Sequence, residues 1–189
     1  MTSGGRIKLF LVLWALVPLP AAAQWDAAQL LAALAGAVPE RIAYSETRRL
    51  AYLDMPLTST GELEFRPPDW LRRSVQGSGE SYVITGDAVR IEGNGARREV
   101  PLDLHPALRA FAESLRATLA GDLPRLQRYF TVELQGSEPA WRLHLRPRDA
   151  SVASVIQSIE LSGNGTTLRR IETREAGGDV TITELKGGA

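Results

Sequence analysis

The stretch Ser81-Tyr82-Val83-Ile84-Thr85-Gly86-Asp87-Ala88-Val89-Arg90-Ile91-Glu92 decides the reading of the fold. Tyr82 and Ile84 stand two apart between Ser81 and Thr85, and Val89 and Ile91 alternate with Arg90 and Glu92 on the far side of Gly86-Asp87. Alternation with a period of two marks a half-buried strand, and a Gly-Asp pair between two such runs marks a tight hairpin. The same period extends outward from here. Ile42, Tyr44, Leu63 and Phe65 alternate upstream, and Gly93-Asn94-Gly95 supplies a second turn signal downstream. The segment from Arg41 to Leu102 therefore reads as a meander of antiparallel hairpins.

A helix interrupts the strands. Pro106 suits a first helical position and Gly121 suits the residue just past the end. Between them Leu108, Phe111, Leu115 and Leu119 fall on one face, and Arg109 and Glu113 stand four apart on the other. An earlier helix is expected over Asp26 to Val38, capped by Asp26 with Gln29 three residues on, striped by Leu30, Leu31, Leu34 and Val38, and ended by Pro39. After Asp122 the chain returns to alternation in Phe130-x-Val132-x-Leu134, Trp141-x-Leu143-x-Leu145 and Ile159-x-Leu161. A turn at Asn164-Gly165, the stretch Leu168 to Glu175 and Val180-x-Ile182 complete the set. Hairpins with few helices imply an α+β, mainly β fold: one curved antiparallel sheet wrapped over its helices.

The first residues set the compartment. Arg6 and Lys8 precede an apolar run from Leu9 to Val17, which Pro18 and Pro20 break before Ala21-Ala22-Ala23. A basic head, a short apolar core and a small-x-small end describe a secretory signal over residues 1–23, cleaved between Ala23 and Gln24. The run stops well short of the roughly 20 apolar residues of a spanning helix. Residues 24–189 then form a single domain with two more acidic than basic groups, which offers no electrostatic footprint for nucleic acid. There is no cysteine, hence no disulfide, no thiol nucleophile and no residue to carry a lipid anchor after the signal. A soluble periplasmic protein is the expectation.

No catalytic or metal set emerges, and no cofactor is implied. His105 precedes Pro106, where it is expected to cap the helix. His144 lies between Leu143 and Leu145 and points away from the face those leucines share. Neither has a partner at metal-ligand spacing, and no phosphate loop, nucleophile elbow or HExxH run occurs. Arginine doublets recur at Arg48-Arg49, Arg72-Arg73, Arg97-Arg98 and Arg169-Arg170. In a strand each doublet can aim one guanidinium inward, toward an anionic headgroup at a cavity mouth. The plainer expectation, exposed arginines at strand ends, is preferred.

The segment Gly61-Glu62-Leu63-Glu64-Phe65-Arg66-Pro67-Pro68-Asp69-Trp70-Leu71-Arg72 resembles the outer-membrane lipoprotein carrier (LolA-like) family at its glycine-started strand, basic-proline break and following apolar strand. Ser81 to Glu92 resembles the next hairpin, Trp141 to Pro147 a later strand ending in proline, and Ile156 to Ile182 the closing strands. The resemblance implies an unclosed antiparallel barrel with helices as a lid over an apolar hollow, and a role in ferrying lipid-modified cargo from inner to outer membrane. On common strand parity, Leu63, Phe65, Tyr82, Ile84, Leu143, Leu145 and Ile159 are expected on the concave, cargo-binding face. Leu108, Phe111 and Leu115 are then the lid stripe.

The family's lid arginine stands directly before the proline. Aligned without a gap, that position is Pro67 here, and Arg66 falls one place early, where a strand side chain faces the other way. Arg66 remains the candidate latch if a bulge restores its facing. A family aromatic position falls at Leu71. The chain thus reads as a divergent branch that moves a dedicated lipid and does not serve as the general lipoprotein carrier. The expected function is a monomeric periplasmic carrier of lipoprotein or glycolipid that receives cargo from an inner-membrane transporter and hands it to an outer-membrane acceptor. The alternative is a lipid- or envelope-stress-sensing module on the same half-barrel.

Overall fold

The computed structural model describes residues 25–37, 39–93 and 95–187. The expected signal over residues 1–23 with its cleavage site, Val38 and Asn94 lie outside the described residues. Eleven strands form one antiparallel sheet: β1 (Arg41–Arg49), β2 (Leu57–Arg66), β3 (Trp70–Val75), β4 (Ser81–Thr85), β5 (Ala88–Gly93), β6 (Ala96–Pro101), β7 (Phe130–Ser137), β8 (Ala140–Pro147), β9 (Ile156–Asn164), β10 (Thr167–Glu175) and β11 (Val180–Lys186). Their order is β6-β5-β4-β3-β2-β1-β11-β10-β9-β8-β7. Each half is a meander, and the halves join where β1 pairs antiparallel with β11, Tyr44 opposite Leu185. The sheet is not closed: β6 and β7 are its two edges. The fold is therefore the expected unclosed half-barrel with helices.

The helices occupy the connection between those edges. From β6 the chain passes through a 3-10 turn (Leu102–Leu104) into α2 (Pro106–Ala120) and α3 (Leu123–Tyr129), and so to β7. A connection running from edge to edge of a half-barrel must cross its concave face, which places α2 over the hollow. The ends of α2 are those its sequence predicts. Pro106 occupies the first turn, and Gly121, at φ 75°, closes the helix with its N–H on the Ala117 and Thr118 carbonyls. Helix α1 (Ala27–Ala35) has the full capping box: Asp26 accepts from the Gln29 N–H and the Gln29 side chain accepts from the Asp26 N–H.

Four expectations need correction. Helix α1 ends at Ala35 and not at Pro39; Gly36 caps it in a right-handed conformation, its N–H turned to the Leu34 carbonyl, which tightens the last turn and stops the α-helical ladder. The chain does not return to strand directly after Asp122. Asp122 caps α3 through the Arg125 N–H, and Pro124 lies in its first turn, a start signal hidden by the alternation that follows. A short α4 (Ala150–Ala153) capped by Asp149 was also not foreseen. His105 sits at the cap position of α2 but makes no side-chain capping bond.

The core fills one end of the half-barrel. Leu30, Leu31 and Leu34 of α1, Leu126 of α3 and Phe130 of β7 are buried beside Trp141, Leu143, Leu145, Ile159 and Leu161. At roughly 25 cal/mol per Å² of apolar area, this dry cluster is the main source of stability. The outer face of the sheet carries polar contacts instead, such as the Arg142–Glu160 ion pair and the approach of His144 Nε2 to Glu160 at 3.1 Å. Among the described residues no helix is long and apolar enough to cross a membrane.

Candidate functional site: a hollow under α2

The other end of the half-barrel is not filled. A cavity of about 1020 Å³ lies between the concave face and the first half of α2. Its apolar wall is built from alternate residues of neighbouring strands, Leu63 on β2, Leu71 on β3, Ile84 on β4 and Val89 on β5. Leu108, Phe111 and Leu115 form its roof, at the three- and four-residue spacing that keeps side chains on one helical face. A second hollow of about 250 Å³ continues under the C-terminal half of α2, lined by Leu34, Phe65, Leu119 and Leu185. Leu63, Leu71, Leu115 and Ile171 line both, so one apolar track runs beneath the helix.

The expected site residues divide into two groups. Leu63, Tyr82 and Ile84 line the large cavity together with Leu108, Phe111 and Leu115, and Phe65 lines the small one. Leu143, Leu145 and Ile159 are 0% exposed and line neither. They share the concave face but lie where the helices pack against it. Arg66 is exposed at the surface. Its Nε donates to Glu40 at 2.9 Å, and its guanidinium stacks 4.7 Å from the Trp70 ring centre, so it reaches no helix carbonyl.

A different arginine ties α2 down. Arg116, 1% exposed, donates from Nη1 to the Gly86 carbonyl at 2.9 Å and to Glu113 at 3.2 Å. Glu113 is buried as well and accepts from Nε and Nη2 of Arg125 on α3, a contact that holds the Arg125 guanidinium charged more firmly than usual. One turn along, Arg109 reaches Asp87 at 3.0 Å. Arg109 and Glu113 thus do not pair with each other as their spacing suggested. The Gly86-Asp87 turn takes one, and α3 takes the other.

The inward-facing charges are the features that sequence reasoning passed over. Arg48, Arg73 and Arg98, one from each of three doublets, line the large cavity; Arg48 and Arg98 are exposed there, as expected of strand-end arginines, and Arg73 is half-buried. Arg73 donates to Glu46 at 2.8 Å and lies 5.0 Å from the Tyr44 ring centre and 5.9 Å from that of Tyr82. Thr183 donates to the other oxygen of Glu46 at 3.1 Å. The signal was available: Ile42, Tyr44, Glu46 and Arg48 share one parity on β1, so the charges face the same way as the apolar residues. Gly61 makes the arrangement fit. A side chain there would lie 2.8 Å from the Tyr44 ring and collide with the Ser74 carbonyl, to which the Tyr44 hydroxyl donates. Burial pushes the Tyr44 and Tyr82 hydroxyls above their ordinary pKa; Arg73 opposes this in both, and Glu80 adds to it at Tyr82. Among the described residues no group of three or more acidic or histidine side chains is placed to hold a metal.

The family model for outer membrane lipoprotein carrier protein LolA-like matches residues 19–189. No curated protein sequence matches the chain. Among solved structures, a LolA superfamily protein from Nitrosomonas europaea is similar at 11% identity over 85% of this chain and 91% of its own, with a TM-score of 0.46. An outer membrane lipoprotein-sorting protein domain from Vibrio parahaemolyticus is similar at 10% identity over 85% of this chain and 89% of its own, also with a TM-score of 0.46. The Pseudomonas aeruginosa MucA/MucB complex is similar at 19% identity and a TM-score of 0.46. There the match covers 87% of this chain but only 58% of the other.

Proposed function

This chain belongs to the LolA-like family of outer membrane lipoprotein carriers, and we propose that it is a periplasmic carrier that shields an acylated cargo, lipoprotein or glycolipid, between the inner and outer membranes. One observation carries the reading: an apolar cavity of about 1020 Å³ roofed by a single helix stripe. Each CH₂ of an acyl chain exposed to water costs about 0.8 kcal/mol, so a chain of ordinary length cannot cross an aqueous gap unshielded. A concave apolar wall under a helix removes that cost while leaving an exit.

In this reading Leu63, Tyr82, Ile84, Leu108, Phe111 and Leu115 contact the chain of the cargo, and Phe65 extends the track into the second hollow. Export by the signal over residues 1–23, delivery from an inner-membrane transporter and release to an outer-membrane acceptor complete the proposal. The protein works as a monomer by binding and carries out no chemistry. Because Arg66 is engaged with Glu40, helix retention is assigned to Arg116 and its contact with the Gly86 carbonyl.

The test is recovery of the protein from its native periplasm without detergent, followed by lipid extraction, mass spectrometry and N-terminal sequencing. An acylated molecule held near one per protein, on a chain beginning at Gln24, is expected. Protein that emerges empty and takes up no fluorescent fatty acid overturns the carrier. Retained lipid together with a stable complex formed with another envelope protein's periplasmic segment would favour the sensing module.

A further inference from the structure

The hollow is apolar under α2 and polar at its opening, and the polar end has a definite composition. Three arginines, Arg48, Arg73 and Arg98, line the cavity together with three glutamates, Glu46, Glu99 and Glu175. Two of the three arginines are engaged with carboxylates. Arg73 is joined to Glu46 at 2.8 Å, and Arg48 lies 3.6 Å from Glu175 and 3.5 Å from Asp179. Between these pairs stand Thr173, Thr181 and Thr183. Thr173 and Thr181 are directly opposite each other on β10 and β11, and Thr183 is opposite Glu46. Thr173 and Thr183 are more than nine-tenths buried, yet both face the cavity.

We infer that this band is a headgroup site selecting an amphiphile whose head carries no net charge but both donates and accepts hydrogen bonds, with its chain running beneath α2. The inference rests on the carrier reading and names the class of cargo. An anionic head at Arg73 or Arg48 would have to displace Glu46 or Glu175, leaving a partly buried carboxylate without its partner, and the charge of Arg98, exposed on the edge strand β6, is screened by water. A head of zero net charge can dock between the pairs without breaking them. Threonine hydroxyls, guanidinium N–H groups and carboxylate oxygens together present donors and acceptors side by side, which suits a polyol or a zwitterion. The stacking of Arg73 between Tyr44 and Tyr82 holds the guanidinium in place without any ligand, so little ordering is left for binding to supply.

The experiment is calorimetric titration of the mature protein with dodecyl maltoside, dodecylphosphocholine and dodecyl phosphate, each below its micellar concentration. The chain is constant and only the head changes. We expect the maltoside or the phosphocholine to bind at least about tenfold more tightly than the phosphate, and the ranking of the first two separates a polyol from a zwitterion. Glu46→Gln frees Arg73 of its carboxylate and should shift the preference toward dodecyl phosphate by about tenfold. Arg48→Gln, at a more hydrated position, should shift it the other way by about threefold. Equal binding of all three heads, tightest binding of the phosphate by the unaltered protein, or variants that fold but leave the ranking unchanged overturns the headgroup site while the carrier stands. Failure of every amphiphile to bind overturns both.

Discussion

The concave face of one sheet has two ends that look alike in sequence and differ in use. Trp141, Leu143 and Leu145 on β8, with Ile159 and Leu161 on β9, alternate as cleanly as Leu63 and Phe65 on β2 or Tyr82 and Ile84 on β4. The first set lies at or near 0% exposure. The second borders open space. The difference comes from what lies above. Helices α1 and α3 pack on β7 and α4 packs on β8 and β9, whereas the two hollows separate α2 from β2 and β3, and the larger one separates it from β4 and β5. Strand parity therefore identifies the face of a sheet, and the placement of helices decides whether that face is core or cavity.

Paired truncations test this contrast with the largest effect. Leu143→Ala should cost about 2–5 kcal/mol, because it leaves a void among side chains that are already close-packed. Leu63→Ala removes the same group from a wall that already borders space, so the added void term is small and the loss should stay near 1 kcal/mol. Urea denaturation of both variants gives the comparison. Equal losses would mean that the hollow collapses in solution. A loss at Leu63 as large as that at Leu143 would also weaken the case for a cargo site.

How far the sequence carried the reading follows the same division. Local features were legible because their causes are local. The Asp26-Gln29 box, the Pro106 and Gly121 ends of α2, and the Gly86 and Asn164-Gly165 hairpins all appear as read. Helix α3 was lost although Asp122 and Pro124 announce it, because seven residues are too few for an apolar stripe to stand out. Leu143, Leu145 and Ile159 were assigned to the cavity since no local signal records what packs over a strand. The polar band was missed for the opposite reason. Glu46 and Arg73 have the parity of inward residues, but a charge in a strand reads as solvent-facing until its partner, 27 residues away, is known.

A charge placed in the roof gives a second, smaller effect on stability and a sharper one on uptake. Phe111 is half-buried and faces the cavity, whereas Leu126 on α3 is 0% exposed and lines neither hollow. For Phe111→Glu, the carboxylate can remain hydrated in the hollow, and a melting shift corresponding to about 1 kcal/mol is expected together with loss of fluorescent fatty-acid binding. Leu126→Glu, which puts the carboxylate into the packed end of the half-barrel, should unfold the domain. If both variants melt alike, the start of α2 is core as well, and the boundary between the two ends lies elsewhere.

The smallest effect comes from the tyrosines at that boundary. Tyr44 is 1% exposed and donates to the Ser74 carbonyl, while Tyr82 lines the cavity and is partly exposed. Burial raises both hydroxyls above the ordinary tyrosine value of 10.0, so each is held neutral more firmly in the folded chain than in the unfolded one. Their contribution to stability is complete below that ordinary value. It declines as the pH rises through it toward the raised folded values, since the unfolded chain then releases protons that the folded chain retains. Stability measured by urea denaturation from pH 8 upward should therefore fall on the alkaline side of 10. Tyr44→Phe lowers the whole curve by about 1 kcal/mol through the lost hydrogen bond, yet flattens its alkaline limb. Tyr82→Phe should flatten that limb less, because water in the cavity can solvate its phenolate. The reverse order would mean that the hollow around Tyr82 is drier than the packed site of Tyr44, and the division between a filled and an open end would have to be redrawn.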